Sequence, residues 1–124
     1  MRGSPEPPAA TDPARHDSTE IPMRAARVHT LDGPRAIQVE EVDDATAGDD
    51  MVLVEVHRAG ITFPDALQTR GLYQYKPDLP FIPGSEVAGI VKQAPDGSGF
   101  SPGDRVAAFP MLGGFAELVA APVH

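Results

Sequence analysis

From Met23 onward the chain is a series of short apolar runs, each broken by glycine or proline. Ala26, Val28 and Thr30 alternate with Arg27 and His29, the period-two pattern of a half-buried strand. Asp32-Gly33-Pro34 is a turn cluster, and Ile37 and Val39 then alternate with Gln38 and Glu40 in a second strand that can close a hairpin on the first. Asp43 to Asp50 is polar and acidic and reads as a loop. Met51 to Val56 is the strongest strand pattern, with Val52, Val54 and Val56 on one face and Met51, Leu53 and Glu55 on the other. Pro64 to Arg70 predicts a short helix. Proline suits a first helical position, Asp65 falls in the first turn where exposed amides favour a carboxylate, and Gly71 can end the helix in a left-handed conformation. Lys76 to Pro83 contains Pro77, Pro80 and Pro83 and should be extended or irregular. Three further strands are predicted: Val87 to Ala94, with Gly89 permitting a close backbone approach, Arg105 to Phe109 after Gly103-Asp104, and Phe115 to Ala120 after Gly113-Gly114. The sum is a mainly β domain, barrel or sandwich, with one short helix.

Composition narrows the class. The chain of 124 residues carries a formal net charge of −8 and no cysteine. That length suits one domain with a single modest core. The acidic balance, without a Lys/Arg cluster, argues against nucleic acid as a partner. Without cysteine there is no disulfide framework, no thiolate nucleophile and no thiolate metal site, a usage that suits a cytoplasmic protein. No run of 18 apolar residues predicts a membrane span. Residues 1–22 differ from the rest, with prolines at 5, 7, 8, 13 and 22 among Ala, Ser, Thr and Asp. Such a segment has little to bury against its ordering entropy, so it is expected to be a disordered tail ahead of a folded unit over residues 23–124.

Candidate chemistry gathers between Ala59 and Gly89. The segment Pro83-Gly84-Ser85-Glu86-Val87-Ala88-Gly89 resembles the alcohol dehydrogenase signature G-H-E-x-x-G with Ser85 in place of the zinc-binding histidine, and Thr62 stands where zinc enzymes place a ligating cysteine. Neutral hydroxyls are poor zinc ligands, a catalytic zinc needs three protein ligands, and Glu86 alone is not a site, so no zinc is expected. Glu86 reads instead as a buried or rim carboxylate holding nearby backbone amides. The block resembles the N-terminal, GroES-like domain of the medium-chain dehydrogenase/reductases, in their zinc-independent NADPH:quinone oxidoreductase branch, and the resemblance covers about Met23 to His124.

What the resemblance implies is a GroES-like barrel that lines one wall of an active-site cleft through Thr62, Asp65 and Tyr73. Thr62 also lies toward the nicotinamide of NADPH, where related enzymes commonly carry asparagine. Chemically the set is apt: a hydroxyl at 62 can bond a carboxamide or substrate carbonyl, Asp65 can orient a donor, and Tyr73 offers a phenol and a flat face to a quinone. The plainer alternatives are that Thr62 caps the helix, Asp65 complements its dipole and Tyr73 packs in a loop. Gly103-Asp104-Arg105-Val106 and Gly113-Gly114-Phe115-Ala116-Glu117 read as turns into strands. Ser85 lacks the G-x-S-x-G elbow of a hydrolase nucleophile.

Hydride transfer to a quinone or α,β-unsaturated carbonyl further requires a nucleotide-binding domain, in cis or in trans. Its G-x-G-x-x-G turn is absent here: Gly97-x-Gly99 runs into Phe100 and Ser101 without a helical pattern. The chain is therefore expected to be inactive alone and to lack the Rossmann domain of the full enzyme, whether it forms a homodimer or not. The alternatives are a stand-alone GroES-like binding or vestigial domain, and the front part of an enoyl reductase.

Overall fold

The computed structural model describes residues 22–123, so the tail expected over residues 1–22 lies, but for Pro22, outside the described residues. Six strands and one α-helix follow in the order β1 (Met23–Arg27), a 3₁₀ turn (Pro34–Ala36), β2 (Gln38–Val42), β3 (Met51–Gly60), α1 (Phe63–Thr69), β4 (Glu86–Gln93), β5 (Arg105–Ala108) and β6 (Leu118–Pro122). The domain is mainly β, as the alternation predicts. β1 and β2 form the expected antiparallel hairpin, Met23 opposite Val42 and Arg27 opposite Gln38. The other strands form an antiparallel sheet in the order β5-β4-β3-β6. β1 joins this sheet ahead of β6: Ala25 bridges Ala116, the Ala26 amide donates to the Phe115 carbonyl at 2.8 Å, and the Glu117 amide donates to the Arg24 carbonyl at 3.2 Å.

β3 is longer than its apolar core suggests because β4 pairs with it to the end, Val56 opposite Gly89 and Gly60 opposite Glu86. Over residues 52–54 it is buried on both faces. Val52 and Val54 join Val87, Val91 and Val119 in one core cluster, while Leu53 joins Met23 and Leu118 in a second. Val56 packs against the first cluster, so the face predicted to be inward is inward. Each buried valine or leucine contributes about 1.5–3 kcal/mol relative to exposure. The register shifts between Val56 and Arg58, which bulges His57 out of the ladder. Opposite the bulge a Cβ on Gly89 would stand 2.0 Å from the Glu55 carbonyl oxygen, so the close approach expected at Gly89 is required by the pairing itself.

Three details depart from the sequence pattern. β1 stops at Arg27, and Thr30, read as an inward strand position, lies beyond it and is exposed. Val39 is 73 % exposed, because β2 pairs only with β1 and this face of the hairpin has no layer over it among the described residues. The last strand begins at Leu118 rather than Phe115, since Phe115 to Glu117 bond to β1 before the chain reaches β3. Glu117 secures that crossing: its Oε1 accepts the Arg24 amide proton at 2.8 Å, and its Oε2 lies 3.5 Å from the Arg24 guanidinium.

Val54 is 1 % exposed, and Val54→Asp would bury an unpaired charge. The variant should lose several kcal/mol in urea unfolding, and undiminished stability would refute the core assignment. The Arg24 amide, with its guanidinium adding a weaker pull, holds the Glu117 carboxyl below the usual carboxylate range. A depressed folded pKa stabilises the fold above the unfolded pKa and loses that contribution as pH falls through the folded one. The stability gap between the wild-type chain and Glu117→Gln should therefore shrink on acidification below the carboxylate range, as followed by urea unfolding at stepped pH.

Candidate functional site

The rim containing the predicted residues starts where β3 ends at Gly60. Thr62, extended at φ −120°, is the N-cap of α1, with Phe63 and Pro64 in its first positions. Proline there forfeits no hydrogen bond and has the right φ, which explains why the helix starts one residue before it. Thr62 and Asp65 face each other as a capping box whose Thr62 side-chain half is not closed by a hydrogen bond. Its strong half is the Thr62 amide donating to Asp65 Oδ2 at 2.8 Å, while the Asp65 amide bonds the Thr62 carbonyl at 3.1 Å. At the other end Gly71 adopts φ 71°; its amide reaches the Gln68 carbonyl at 3.1 Å and the Leu72 amide the Leu67 carbonyl at 2.9 Å. That pair of bonds is a Schellman motif, the stop predicted from glycine. The Gly33 amide, in the connection between β1 and β2, binds the Thr69 carbonyl at 3.0 Å and ties the helix end to the hairpin.

The helix is amphipathic in the reverse of the usual sense. Asp65, Gln68 and Thr69, at i, i+3 and i+4, are buried at 4 %, 5 % and 2 % exposure. Ile61 and Phe63 at the same end are 86 % and 76 % exposed. Thr69 is satisfied by its own turn, donating to the Ala66 carbonyl at 2.7 Å. Thr62 Oγ1 and Asp65 Oδ1 are buried and have no hydrogen-bond partner. Orphaned buried polar atoms are rare, and each costs about 1–3 kcal/mol of desolvation.

Thr62 and Asp65 are thus brought together, and the capping role of Asp65 coexists with its open oxygen. Tyr73 lies just past the Gly71 turn, half-buried, and makes no side-chain hydrogen bond among the described residues. No hydrogen bond joins it to the Thr62–Asp65 pair. Ser85 is half-buried in the loop before β4. Glu86 departs from its expected role: it is exposed and holds no backbone amide among the described residues, its Oε1 lying 3.2 Å from where a Cβ on Gly60 would sit. Its cross-strand partner is a glycine at a strand end, so its side chain leans over bare backbone toward solvent.

The loop from Phe109 to Phe115 belongs to the same rim, although its sequence signals only a turn into a strand. It is stitched to the signature loop by three backbone bonds, Gly113 amide to Ile82 carbonyl (2.8 Å), Gly114 to Gly84 (2.9 Å) and Phe115 to Pro83 (3.0 Å). Met111 sits in this loop at φ 71°, the left-handed region that costs a side chain roughly 1–2 kcal/mol, and is 63 % exposed beside Phe109 at 69 %. The Pro-Met-Leu-Gly-Gly run was the available signal, an apolar pair held between turn formers.

Among the described residues no three His, Asp or Glu side chains converge to hold a metal ion. His29 is engaged by Glu40 at 3.0 Å and His57 by Glu55 at 3.5 Å, and the sequence has no cysteine. The residues at Thr62, Ser85 and Glu86 do not fit a zinc ion, because two of the three are neutral hydroxyls.

Asp65→Ala should cost about 1–2 kcal/mol of stability, since it removes a charge-assisted bond to the helix N-cap. Thr62→Val should not destabilise the chain and should gain up to about 1–3 kcal/mol, because it removes a buried hydroxyl that has no partner in the chain. Urea unfolding of the two variants checks the contrast, and equal losses would show that the hydroxyl is engaged.

The same fold recurs in known proteins. The model of the alcohol dehydrogenase GroES-like domain matches residues 48–124. The quinone oxidoreductase of Rattus norvegicus is 40 % identical over 98 residues, which are 77 % of this chain and 30 % of the relative. The crystal structure of a probable oxidoreductase from Mycobacterium abscessus superimposes with a TM-score of 0.80 at 47 % identity, over 83 % of this chain and 33 % of that one. The quinone oxidoreductase of Thermus thermophilus, solved also in complex with NADPH, superimposes with a TM-score of 0.68 at 34 % identity, over 82 % of this chain and 30 % of that one. The chain thus spans about a third of the length of the relatives it matches. The fold, the signature loop and these matches agree, and the chain belongs to the alcohol dehydrogenase GroES-like domain family, as an N-terminal domain on the quinone oxidoreductase branch of the medium-chain dehydrogenase/reductases.

Proposed function

We propose that this chain, as a GroES-like domain over residues 23–124 behind a tail, supplies the substrate-side wall of a zinc-independent, NADPH-dependent oxidoreductase that reduces a quinone or an α,β-unsaturated carbonyl in the cytoplasm. The observation that carries the reading is the buried and unpartnered pair of Thr62 Oγ1 and Asp65 Oδ1, flanked along the chain by the exposed Ile61 and Phe63. A polar pair with open hydrogen-bonding capacity, with apolar groups beside it, is what a site needs to orient a carbonyl while excluding water. The Thermus relative's complex with NADPH supports the choice of cofactor.

Each residue then has a defined task. Asp65 is held through Oδ2 by the Thr62 amide, which leaves Oδ1 to orient a neighbouring donor. The Thr62 hydroxyl can donate to a substrate carbonyl or meet the carboxamide of the cofactor. Tyr73 offers its phenol as donor and its ring as a stacking face for an aromatic quinone. Bound NADPH would supply the hydride, and its phosphates call for a Gly-rich turn and helix N-terminus that residues 1–124 do not encode. Zinc has no part in this scheme, since Thr62 and Ser85, at the places of its ligands, are neutral hydroxyls.

The chain by itself should not oxidise NADPH with any quinone. Without the nucleotide-binding part, donor and acceptor are not brought to near-attack distance, and such positioning accounts for roughly 7–11 kcal/mol of a barrier. Fused to the NADPH-binding part of the Thermus thermophilus enzyme, the chain should support quinone reduction. In that fusion Tyr73→Ala should lower kcat/KM for an aromatic quinone on the order of tenfold through loss of a stacking face and a hydroxyl donor. Turnover by the homogeneous chain alone, or an unchanged kcat/KM in the Tyr73→Ala fusion, would overturn the assignment. A folded fusion with no quinone reductase activity would favour a binding domain.

A further inference from the structure

Two aspartates in the sequence are followed by glycine, Asp32 before Gly33 and Asp96 before Gly97, and the chain contains no asparagine. Such a pair is chemically labile. The glycine nitrogen, with no Cβ beside it to hinder approach, can attack the aspartate carboxyl carbon and close a five-membered imide. The fold treats the two pairs in opposite ways. Gly33 is buried, and its amide donates to the carbonyl of the buried Thr69 at 3.0 Å. The Arg70 guanidinium lies over it, 3.5 Å from where a Cβ would stand. Attack by this nitrogen would break a buried hydrogen bond and leave the Thr69 carbonyl unpaired, which opposes the reaction. Asp96 and Gly97 are exposed in the turn between β4 and β5. The Ser98 amide closes that turn on the Pro95 carbonyl at 3.1 Å, with Gly97 in its third position at φ 79°. The Gly97 amide has no hydrogen-bond partner among the described residues, and beyond its two chain neighbours no atom lies within 4 Å of where its Cβ would be.

We propose that Asp96 is a site of spontaneous isoaspartate formation in the folded chain, and that the fold protects Asp32 from the same change. The Gly97 nitrogen bonds to Asp96 Cγ, the carboxyl hydroxyl and the amide proton leave as water, and a succinimide remains. Water then adds back across one of the two imide C–N bonds. Opening at the Asp96 backbone carbonyl sends the chain through Cβ and Cγ and leaves the former backbone carbonyl as a free carboxylate. One water is lost and one regained, so mass and charge are unchanged and no other reactant is needed. The backbone gains one methylene in a turn where Gly97, Gly99 and Gly103 have open space around them. The β4–β5 ladder, from Ile90 opposite Arg105 to Val87 opposite Ala108, lies outside the turn and keeps its register. The turn follows Gln93, at the other end of β4 from Glu86 and the rim, so the modification does not depend on the reaction proposed above.

The experiment ages the full chain for weeks at physiological temperature and neutral pH, one sample folded and one in urea. Tryptic peptides 28–35 and 93–105 separate the two pairs, and electron-transfer fragmentation distinguishes an isomer at Asp96 from one at Asp104. In the folded chain isoaspartate should accumulate at Asp96 at least tenfold faster than at Asp32. In urea the two rates should converge, because the Thr69 bond that holds the Gly33 amide is gone. A carboxyl methyltransferase specific for isoaspartate, given labelled S-adenosylmethionine, should label the aged folded chain. Most of that label should be lost in an equally aged Asp96→Glu variant, whose longer side chain would have to close a less favourable six-membered ring. Asp32 isomerising as fast as Asp96 in the folded chain, an isomer confined to Asp104, or undiminished labelling of Asp96→Glu overturns the proposal. So does a tenfold preference for Asp96 that persists in urea, because it then belongs to the flanking residues and not to the fold.

Discussion

The architecture depends on the close crossing of β3 and β4 at Gly89. β3 is hydrogen-bonded on both sides, to β4 and β6, and buried on both faces over residues 52–54, so the two core clusters meet across it. The bulge at His57 turns the far end of β3, from Arg58 to Gly60, away from the core. That turn is sterically possible only because Gly89 presents no side chain to the Glu55 carbonyl. A side chain at that position would push the strands apart where their twist must increase, and α1 would then start from a different place. The site therefore depends on a backbone contact between residues with no chemical role in it.

A second backbone contact sets the other half of the rim. Gly84 and Gly114 pass so close that a Cβ on Gly84 would lie 2.7 Å from the Phe115 amide nitrogen, and one on Gly114 2.8 Å from the Gly84 carbonyl oxygen. This crossing binds the signature loop to the Phe109–Phe115 loop and determines where Ser85 and the apolar pair of Phe109 and Met111 emerge. A glycine motif that in zinc enzymes frames a metal ligand has here a plain mechanical job, to let two loops touch.

The helix between these crossings shows how a fold can hold unsatisfied chemistry in place. Its caps are ordinary and strong, a carboxylate at the N-cap amide and a Schellman stop at Gly71. Because both ends are held locally and Thr69 is tied to the hairpin through Gly33, the helix does not need an apolar inner face. Asp65 and Gln68 can then lie buried, with one carboxylate oxygen and the Thr62 hydroxyl left over. The cost of those orphans is borne by the β core around Val54.

Most of the fold was legible in the chain because period-two alternation and glycine punctuation are local signals. The strands at Met51, Val87 and Arg105, the hairpin, the loop at Asp43 and the helix with its glycine stop all follow from residues within a few positions of one another. The identity of the rim was legible too, since Thr62 and Ser85 at the places of metal ligands are a matter of spelling. Other features depend on what lies opposite in space. Val39 has the pattern of an inward residue but faces out, because no second layer covers that side of β2 among the described residues. Glu86 has the position of an anchoring carboxylate but holds no amide, because the backbone it leans over is Gly60. The inward polar face of α1 and the left-handed Met111 arise from ties to distant loops. Local sequence therefore determined the elements and the residue types at the rim. Tertiary structure decided which polar atoms were left without partners, since whether a buried atom is satisfied depends on neighbours that the chain brings from afar.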